Sequence, residues 1–405
     1  MKTKDNNKSI TKSVLTGLGI SIAGLLLVFL LAIYGLWHNE IASVASMKMI
    51  KDRDDSHLDG AVYTMDVKGG FYLDEFVEQG GVKNDTELIN FITNKITKGL
   101  LKLNISNPEI GCSSFTAKTT EGDVLFGRNY DFSKTNTCIV KTEASKGRHA
   151  TISTVDLQFL GMDVDRNVEG LMNKITCLAA PYAPLDGVND AGVACGIYMS
   201  YQGETTIPTD INTEKPDLTS TTLLRLILDY ADNVEEAVEI AKSYDLHDSA
   251  GTSYHYMVAD ASGKSVILEW TGNTDITDKD GSARQLVVTY NDSDSHIGTV
   301  EADADYQWIT NFIIQPDYYE DNSKKPGYDR YERIGEELSV SNGIVADEKA
   351  AMDILAIVGR RDWNNDDNNG CTVHSAIYNL TDKTVLWVPN EHYDDASAYY
   401  TFDFQ

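Results

Sequence analysis

One cysteine in this sequence is followed at short spacing by charged residues that could activate it. Cys112 comes directly after Gly111, and Arg128 and Asp131 follow in the stretch Phe-Gly-Arg-Asn-Tyr-Asp. A cysteine attacks as the thiolate, and a nearby cation favours that form. Cleavage of the Gly111–Cys112 bond would give Cys112 an α-amine with a pKa of about 8, which can accept the thiol proton. Because Gly111 has no Cβ to hinder attack on its carbonyl, we predict self-cleavage here through an N-to-S acyl shift.

The spacing of the two charged residues sets a geometric condition. Arg128 and Asp131 are three residues apart, so their side chains would face opposite sides of an extended strand. We therefore predict a bend in the strand if both side chains are to reach Cys112.

The stretch from Gly111 to Phe132 resembles the choloylglycine hydrolase and penicillin V acylase family of linear amide C–N hydrolases. These are N-terminal nucleophile enzymes, more distantly similar to acid ceramidase. Four later blocks extend the resemblance over most of the chain after Cys112: DGVNDAG at 186–192, VADASGK at 258–264 with Glu269, ITNF at 309–312 and YDRY at 328–331.

The resemblance implies a role for each matching residue. Cys112 is the nucleophile, Arg128 favours its thiolate, Asp131 holds its α-amine, and Arg330 supports it electrostatically. The Asn311 side chain and the backbone N–H of Met199 stabilise the oxyanion. Met199 departs from the Asn or Tyr of the bile-salt and penicillin acylases, which puts the substrate preference in doubt. Asn291 is an alternative match for the oxyanion asparagine, and we prefer Asn311 because Thr-Asn-Phe matches better.

The same resemblance implies the fold and the reaction. The fold is α+β, a four-layer αββα sandwich with two stacked antiparallel sheets between helical layers. The reaction is hydrolysis of a linear amide, with bile-salt conjugates, penicillin V, N-acyl homoserine lactones and N-acyl amines or amino acids as candidate substrates. No metal or organic cofactor is expected. An acyltransferase would use the same residues, and a membrane-tethered binding protein that never processes is the alternative from another class.

The N-terminus predicts a membrane anchor. Val14 to Trp37 are 24 consecutive residues without a charge, enough to cross a hydrocarbon core of about 30 Å. Lysines precede this run, which predicts a cytoplasmic N-terminus and an extracytoplasmic remainder. A cleaved signal peptide, with small residues at 43–45, would instead give a secreted protein. The predicted divisions are a basic tail (1–12), the anchor (13–37), a tether and propeptide-like segment (38–111) and the catalytic domain (112–405).

Composition limits the partners. A formal charge of -28 repels phosphate backbones, which argues against nucleic-acid binding and mildly favours neutral acyl amides. The small-molecule amide and the membrane are the partners we predict, and a homo-oligomer stays open. Besides Cys112, the four other cysteines are expected to be buried thiols or to form at most two disulfides: Cys138, Cys177, Cys195 and Cys371.

Hydrophobic periodicity predicts the elements around these residues. We expect helices over 86–103, 221–230, 234–244 (with Asn233 as N-cap), 329–338 and 347–358. We expect a hairpin over 112–128 and strands at 151–159, 193–199, 254–258, 266–270, 286–290, 372–378 and 384–388. His255 and His374 fall in strand patterns and are expected to be packed and hydrogen-bonded rather than catalytic. The segment 362–370 is rich in oxygen ligands but lacks the Gly and Glu of an EF-hand, so we interpret it as a solvated loop.

Overall fold

The computed structural model describes residues 3–57, 59–99, 111–162, 168–200, 214–271, 285–291, 306–316, 318–361 and 370–404. The helices are α1 (Thr3–Ser46), α2 (Leu73–Glu78), α3 (Asp85–Thr97), α4 (Gly170–Thr176), α5 (Ser220–Tyr230), α6 (Val234–Ser243), α7 (Tyr328–Ser341) and α8 (Glu348–Ile357). Short 3₁₀ turns lie at Leu157–Leu160, Cys177–Tyr182, Asn322–Lys324 and Ala396–Ala398.

The strands up to residue 200 are β1 (Lys48–Lys51), β2 (Val62–Val67), β3 (Gly111–Thr119), β4 (Val124–Ser133), β5 (Thr137–Thr142), β6 (Thr151–Asp156), β7 (Asp186–Asn189) and β8 (Ala194–Met199). Those that follow are β9 (Asp217–Thr219), β10 (Asp245–His247), β11 (Tyr254–Ala259), β12 (Ser265–Thr271), β13 (Gln285–Tyr290), β14 (Trp308–Ile309), β15 (Ile344–Val345), β16 (Gly370–Asn379), β17 (Thr384–Pro389) and β18 (Tyr400–Phe402). The protein is a mixed α+β structure.

The strands form two large sheets. One has the order β1-β2-β5-β6-β7-β8-β11-β12-β13, and the other has the order β14-β3-β4-β16-β17-β18, with β15 beside β3. Within these two sheets neighbouring strands are antiparallel except for β2 with β5 and β15 with β3, so the expectation of antiparallel sheets was wrong at these two pairs. A separate two-stranded sheet pairs β9 with β10 in parallel. Helices α5 and α6 pack on the first sheet and α8 packs on the second.

The sheets meet through β3 and β8, where the Tyr198 hydroxyl donates to the Ser114 hydroxyl. Both strands are buried on both faces, which explains why their sequences lack a simple polar alternation. Polar side chains between two such sheets lie in a medium of low dielectric and must find partners there.

Most of the described residues before Cys112 lie in helices and strands. Helix α1 continues to Ser46, with non-helical dihedrals at Trp37, and β1 and β2 join the edge of the nine-stranded sheet. The Trp37 indole donates to the Ile96 carbonyl at 3.0 Å, and Ser43 is buried.

The other predicted elements are present with shifted ends. The helix expected over 86–103 ends at Thr97, where Lys98 takes a left-handed conformation, and 100–103 lie outside the described residues. The strand expected over 151–159 stops at Asp156 and continues as a 3₁₀ turn. Asn233 caps α6 as predicted, its side chain accepting from the Glu236 N–H.

Candidate active site

Cys112 lies at the second position of β3 and is fully buried. Its thiol, its backbone N–H and its carbonyl each have a polar partner from a different part of the chain. Burial raises the pKa of the thiol to about 11, with Arg128 and Arg330 lowering it and Asp131 raising it. The uncut chain therefore holds a protonated, unactivated Cys112.

Arg128 contacts the sulfur from between the two sheets. Its Nη2 donates to Cys112 Sγ at 3.0 Å and to the Ile197 carbonyl at 2.8 Å, while Nε donates to Asp186 at 3.3 Å. The guanidinium lies 4.3 Å from the centre of the Tyr198 ring. Arg128 is fully buried, and its charge is available to a thiolate at this position.

Arg330 and Asn311 hold the backbone of Cys112. Arg330 Nη1 donates to the Cys112 carbonyl at 2.8 Å and to Asp131 Oδ2 at 2.9 Å. Its Nη2 donates to Asn311 Oδ1 at 2.8 Å, and the same oxygen accepts from the Cys112 N–H at 3.0 Å. The nitrogen that cleavage would convert to an amine is thus already bound.

Asp131 lies opposite Gly111 in the register of β3 and β4. Its carboxylate accepts from Arg330 and, at 2.8 Å, from the Thr372 hydroxyl. A Cβ on Gly111 would come within 3.3 Å of the Asp131 Cβ, so the absence of a side chain at 111 keeps this approach open. The carboxylate lies beside the bond that we predict to be cut.

The predicted bend in this strand is not needed. Arg128 and Asp131 do face opposite sides, but each meets a different part of Cys112: Arg128 reaches the sulfur, and Asp131 connects to the backbone through Arg330. The one irregularity in the β4–β16 register is a shift between Thr372 and His374, and it lies on β16. Strand alternation itself separates the two charges.

The oxyanion prediction meets a different arrangement in the uncut chain. Asn311 Nδ2 donates to the Met199 carbonyl at 2.9 Å, so the contact with Met199 is made through its oxygen. One N–H of the Asn311 amide is used in this bond. The predicted role, donation to the oxyanion, requires the second N–H. Asn291 is bound elsewhere, to Ser265 and Gly263, whereas Asn311 contacts Cys112, as the preferred match expects.

Sequence reasoning missed several residues that position this group. Asp186 accepts from Arg128, from His374 at 2.9 Å and from the Tyr378 hydroxyl. Burial alone raises the pKa of Asp186, but the interactions with His374, Arg128 and Tyr378 outweigh burial and lower it to about 2. Asp186 is the first residue of the DGVNDAG block, and its place in that block was the only feature of the sequence that could have pointed to a role at this site.

Gly327 is a second missed residue. It precedes α7 with φ +74, and a Cβ there would lie 2.7 Å from Arg330 Nη2. A side chain at 327 would therefore push the guanidinium off Cys112, and the left-handed conformation itself favours glycine.

The remaining histidines and cysteines match the expectations for them. His255 is buried and bonded to Glu269 and to the Thr310 carbonyl, and His374 is buried and bonded to Asp186. All five cysteines are buried free thiols.

One cluster outside this site has metal-binding residue types. His57, Asp59 and His392 bring ligand atoms within 4.8 Å of one another. Asp59 already accepts from Lys51 at 2.5 Å and faces Arg361 at 3.5 Å. A divalent cation would have to displace one cation and sit beside another, so we interpret the cluster as an ion-pair network.

A small, mainly apolar cavity of about 60 Å³ lies beside the site. Its wall includes Ile197, whose carbonyl accepts from Arg128, together with Leu185 and Tyr254 from the sheet and Leu88 and Ile92 from α3. An apolar group in this cavity would contact Ile197, the residue whose carbonyl binds the Arg128 guanidinium.

Comparison with known proteins decides the family. The sequence model of acyl-coenzyme A:6-aminopenicillanic acid acyl-transferase matches residues 118–391, more than half of the chain. The chain belongs to this family. Membership confirms the resemblance drawn from Cys112 and the later blocks, and it indicates a linear amide enzyme of the N-terminal nucleophile type. No curated protein matches the sequence.

Solved structures give distant likenesses. A mutant conjugated bile acid hydrolase from Clostridium perfringens is 14% identical, with 72% of this chain and 92% of that chain covered and a TM-score of 0.44. Penicillin V acylase from Agrobacterium tumefaciens is 17% identical, with 69% and 83% covered and a TM-score of 0.42. The Caenorhabditis elegans ortholog of N-acylethanolamine-hydrolyzing acid amidase is 16% identical, with 73% and 100% covered and a TM-score of 0.40.

Proposed function

We propose that this protein hydrolyses linear amide C–N bonds with Cys112 as an N-terminal nucleophile, exposed by cleavage of the Gly111–Cys112 bond. The observation that carries the proposal is the three-sided hold on Cys112: Arg128 on the sulfur, Asn311 on the nitrogen and Arg330 on the carbonyl. A structural cysteine has no need of two buried arginines, because a neutral thiol gains little from them and their burial is costly.

Processing begins with attack of the Cys112 sulfur on the Gly111 carbonyl carbon. The C–N bond breaks as the thioester forms, and the nitrogen of Cys112 takes a proton and becomes its α-amine. Water then hydrolyses the thioester, which releases the Gly111 carboxylate and restores the thiol. Asp131, which lies opposite Gly111, offsets the positive charge of the new amine.

Turnover repeats this chemistry on an external amide. The α-amine takes the thiol proton, the thiolate attacks the substrate carbonyl, and the oxyanion is stabilised by the second N–H of the Asn311 amide and by the backbone N–H of Met199. The α-ammonium gives its proton to the leaving amine, and a thioester remains. The α-amine then deprotonates a water molecule, which cleaves the thioester and frees the acid.

The cavity beside Ile197 supports an apolar acyl group as the part of the substrate that is bound. Its mostly apolar lining favours a small apolar part of an acyl group over a charged one. The matching relatives act, by their names, on conjugated bile acids, penicillin V and N-acylethanolamines, and these with N-acyl homoserine lactones form the substrate panel to test.

The family name adds an acyltransferase as second candidate, because an amine in place of water would take the acyl group from the same thioester. A test that separates the two mixes the cleaved enzyme with each panel amide, with and without an added primary amine. Release of the free acid in both cases supports the hydrolase, and formation of a new amide supports the transferase. No turnover of any amide by correctly cleaved protein would count against both.

We further propose the four-layer αββα order for the catalytic domain, residues 112–405, with residues 1–111 remaining attached after cleavage. Helices α5 and α6 lie on one sheet and α8 lies on the other, which supports the layer order. Strand β2 precedes the cleavage point in sequence and β5 follows it, and the two strands pair along six residues. This pairing supports retention of the N-terminal piece after cleavage.

We also propose that α1 is an uncleaved anchor with the catalytic domain outside the cytoplasm. Within the described residues, one helix, Ile20–Ser46, is long and apolar enough to cross a membrane. Cleavage at 43–45 would cut inside this helix where Ser43 is buried and its hydroxyl donates to the Asn39 carbonyl at 2.8 Å.

A further inference from the structure

A buried carboxylate and a buried histidine lie behind the arginine of the nucleophile. Asp186 and His374 are both fully shielded from solvent, and His374 Nε2 lies 2.9 Å from Asp186 Oδ2. The same carboxylate oxygen accepts from Arg128 Nε at 3.3 Å. A continuous path of contacts thus runs from His374 through Asp186 and Arg128 to the Cys112 sulfur.

The charges along this path balance in only two of their four states. With a neutral thiol and a neutral imidazole, Arg128 and Asp186 cancel each other. Ionisation of the thiol alone leaves one uncompensated negative charge between the sheets, where burial makes such a charge costly. A proton on His374 restores neutrality, so the thiolate and the imidazolium favour each other although they do not touch.

We propose that Asp186 and His374 are positioning residues for the proposed amide hydrolysis. Asp186 holds the Arg128 guanidinium on the Cys112 sulfur, and the proton on His374 offsets the Asp186 charge so that Arg128 acts fully on the thiolate. This inference rests on the proposed function, since it describes how the nucleophile of that reaction is tuned. The α-amine remains the base, and His374 sets the pH at which the thiolate forms.

The surroundings of His374 leave Asp186 as its main charged partner among the described residues. Its ring lies 5.4 Å from Tyr130 and 5.5 Å from Trp387, centre to centre. The Tyr130 hydroxyl donates to Asp156 at 2.8 Å. Burial raises the pKa of Asp156 to about 6.

The test measures the titration of the Cys112 thiol in the cleaved full-length protein in detergent micelles. The rate of alkylation of Cys112 by iodoacetamide is recorded against pH for the wild type and for His374→Gln, whose amide can still donate to Asp186 but cannot gain a proton. We expect the pKa of the thiol to rise by about one unit in His374→Gln. Alkylation below that pKa then falls about tenfold.

The control variant is Asp229→Asn. It removes the carboxylate of another buried ion pair, with Arg225 on α5, and should leave the thiol titration unchanged. A second measurement needs no variant: the imidazole of His374 is titrated by NMR in the wild type before and after alkylation of Cys112. Loss of the thiolate charge should lower the pKa of His374 by the same amount, because coupling between two sites is reciprocal.

This inference would be overturned if the wild type and His374→Gln had the same thiol titration profile, or if alkylation of Cys112 left the His374 titration unchanged. The proposed function would still stand in that case, provided that the protein is cleaved and turns over an amide. A wild-type chain that stays uncut, with an unreactive Cys112, would remove the proposed function and this inference with it. If His374→Gln does not fold, the NMR titration of the wild type decides.

Discussion

The Oδ1 atom of Asn311 accepts a hydrogen bond of 3.0 Å from the backbone N–H of Cys112, the nitrogen that the proposed cleavage turns into an amine. Arg330 fixes the same oxygen from the other side at 2.8 Å. The Asn311 amide group is therefore oriented before processing, with its nitrogen pointing away from Arg330 toward Met199.

This orientation makes Asn311 the residue to test against Asn291. We expect Asn311→Ala to lower kcat by about a hundredfold to a thousandfold, the usual cost of losing an oxyanion donor. Asn291→Ala is the matched control: it removes bonds to Ser265 and Gly263 and should leave kcat within a few-fold of the wild type. The reverse ranking of the two variants in a steady-state amidase assay would show that the alternative match is right.

Asp131→Asn tests the carboxylate beside the scissile bond. Asparagine can still accept from Arg330 with its one amide oxygen, and its amide nitrogen can donate to the Thr372 hydroxyl oxygen. We therefore expect the fold to be kept while self-cleavage slows by about a hundredfold. The extent of cleavage is followed by gel electrophoresis during expression, with Asp123→Asn in the turn of the same hairpin as control. Cleavage at the wild-type rate in Asp131→Asn would mean that its charge has no part in processing.

Glu391 predicts a pH dependence of stability. Burial raises its pKa to about 7, and the folded state therefore binds the Glu391 proton more tightly than the unfolded state does. The free energy of unfolding should fall as pH rises from the ordinary carboxyl range through about 7, by about 3 kcal/mol at most.

This dependence is measurable by urea denaturation of uncut Cys112→Ala protein, which keeps a single chain. The double variant with Glu391→Gln should show a flatter profile across the same pH window. Equal slopes in the two proteins would contradict the assignment.

The contacts of Trp37 and Ser43 predict that the leader stays on the protein. Both residues bind the folded domain, Trp37 through the Ile96 carbonyl and Ser43 through the Lys68 N–H. We expect the protein to resist extraction from membranes by alkaline carbonate and its N-terminal fragment to retain residues 1–45. A fragment that begins at Ser46, found in the soluble fraction, would favour the cleaved signal peptide.

The grouping of Cys112 with its close partners could be predicted because these residues lie in short sequence blocks with recognisable spacing. Cys112, Arg128 and Asp131 share one hairpin, and Arg330 lies in a block of its own, so each could be placed at one candidate site before any contact was known. The helices α5, α6 and α8 could be predicted for a similar reason, since their periodicity and caps are local.

Long-range pairing could not be predicted. The parallel pairing of β2 with β5 and the contacts of Asp186 with His374 join residues far apart in sequence, and neither leaves a local signal. Strand β1 could not be predicted either, because it lies at the edge of the nine-stranded sheet, where polar residues are compatible with a strand.

The most direct test of the account is the N-terminal residue of the catalytic chain. Intact-mass spectrometry and N-terminal sequencing of purified wild-type protein should find a chain that begins at Cys112, and this chain should be absent from Cys112→Ala protein. A well-folded, active wild-type protein whose Gly111–Cys112 bond is intact would contradict the central claim, because Cys112 would then lack its amine base and its thiol would stay protonated in the buried site.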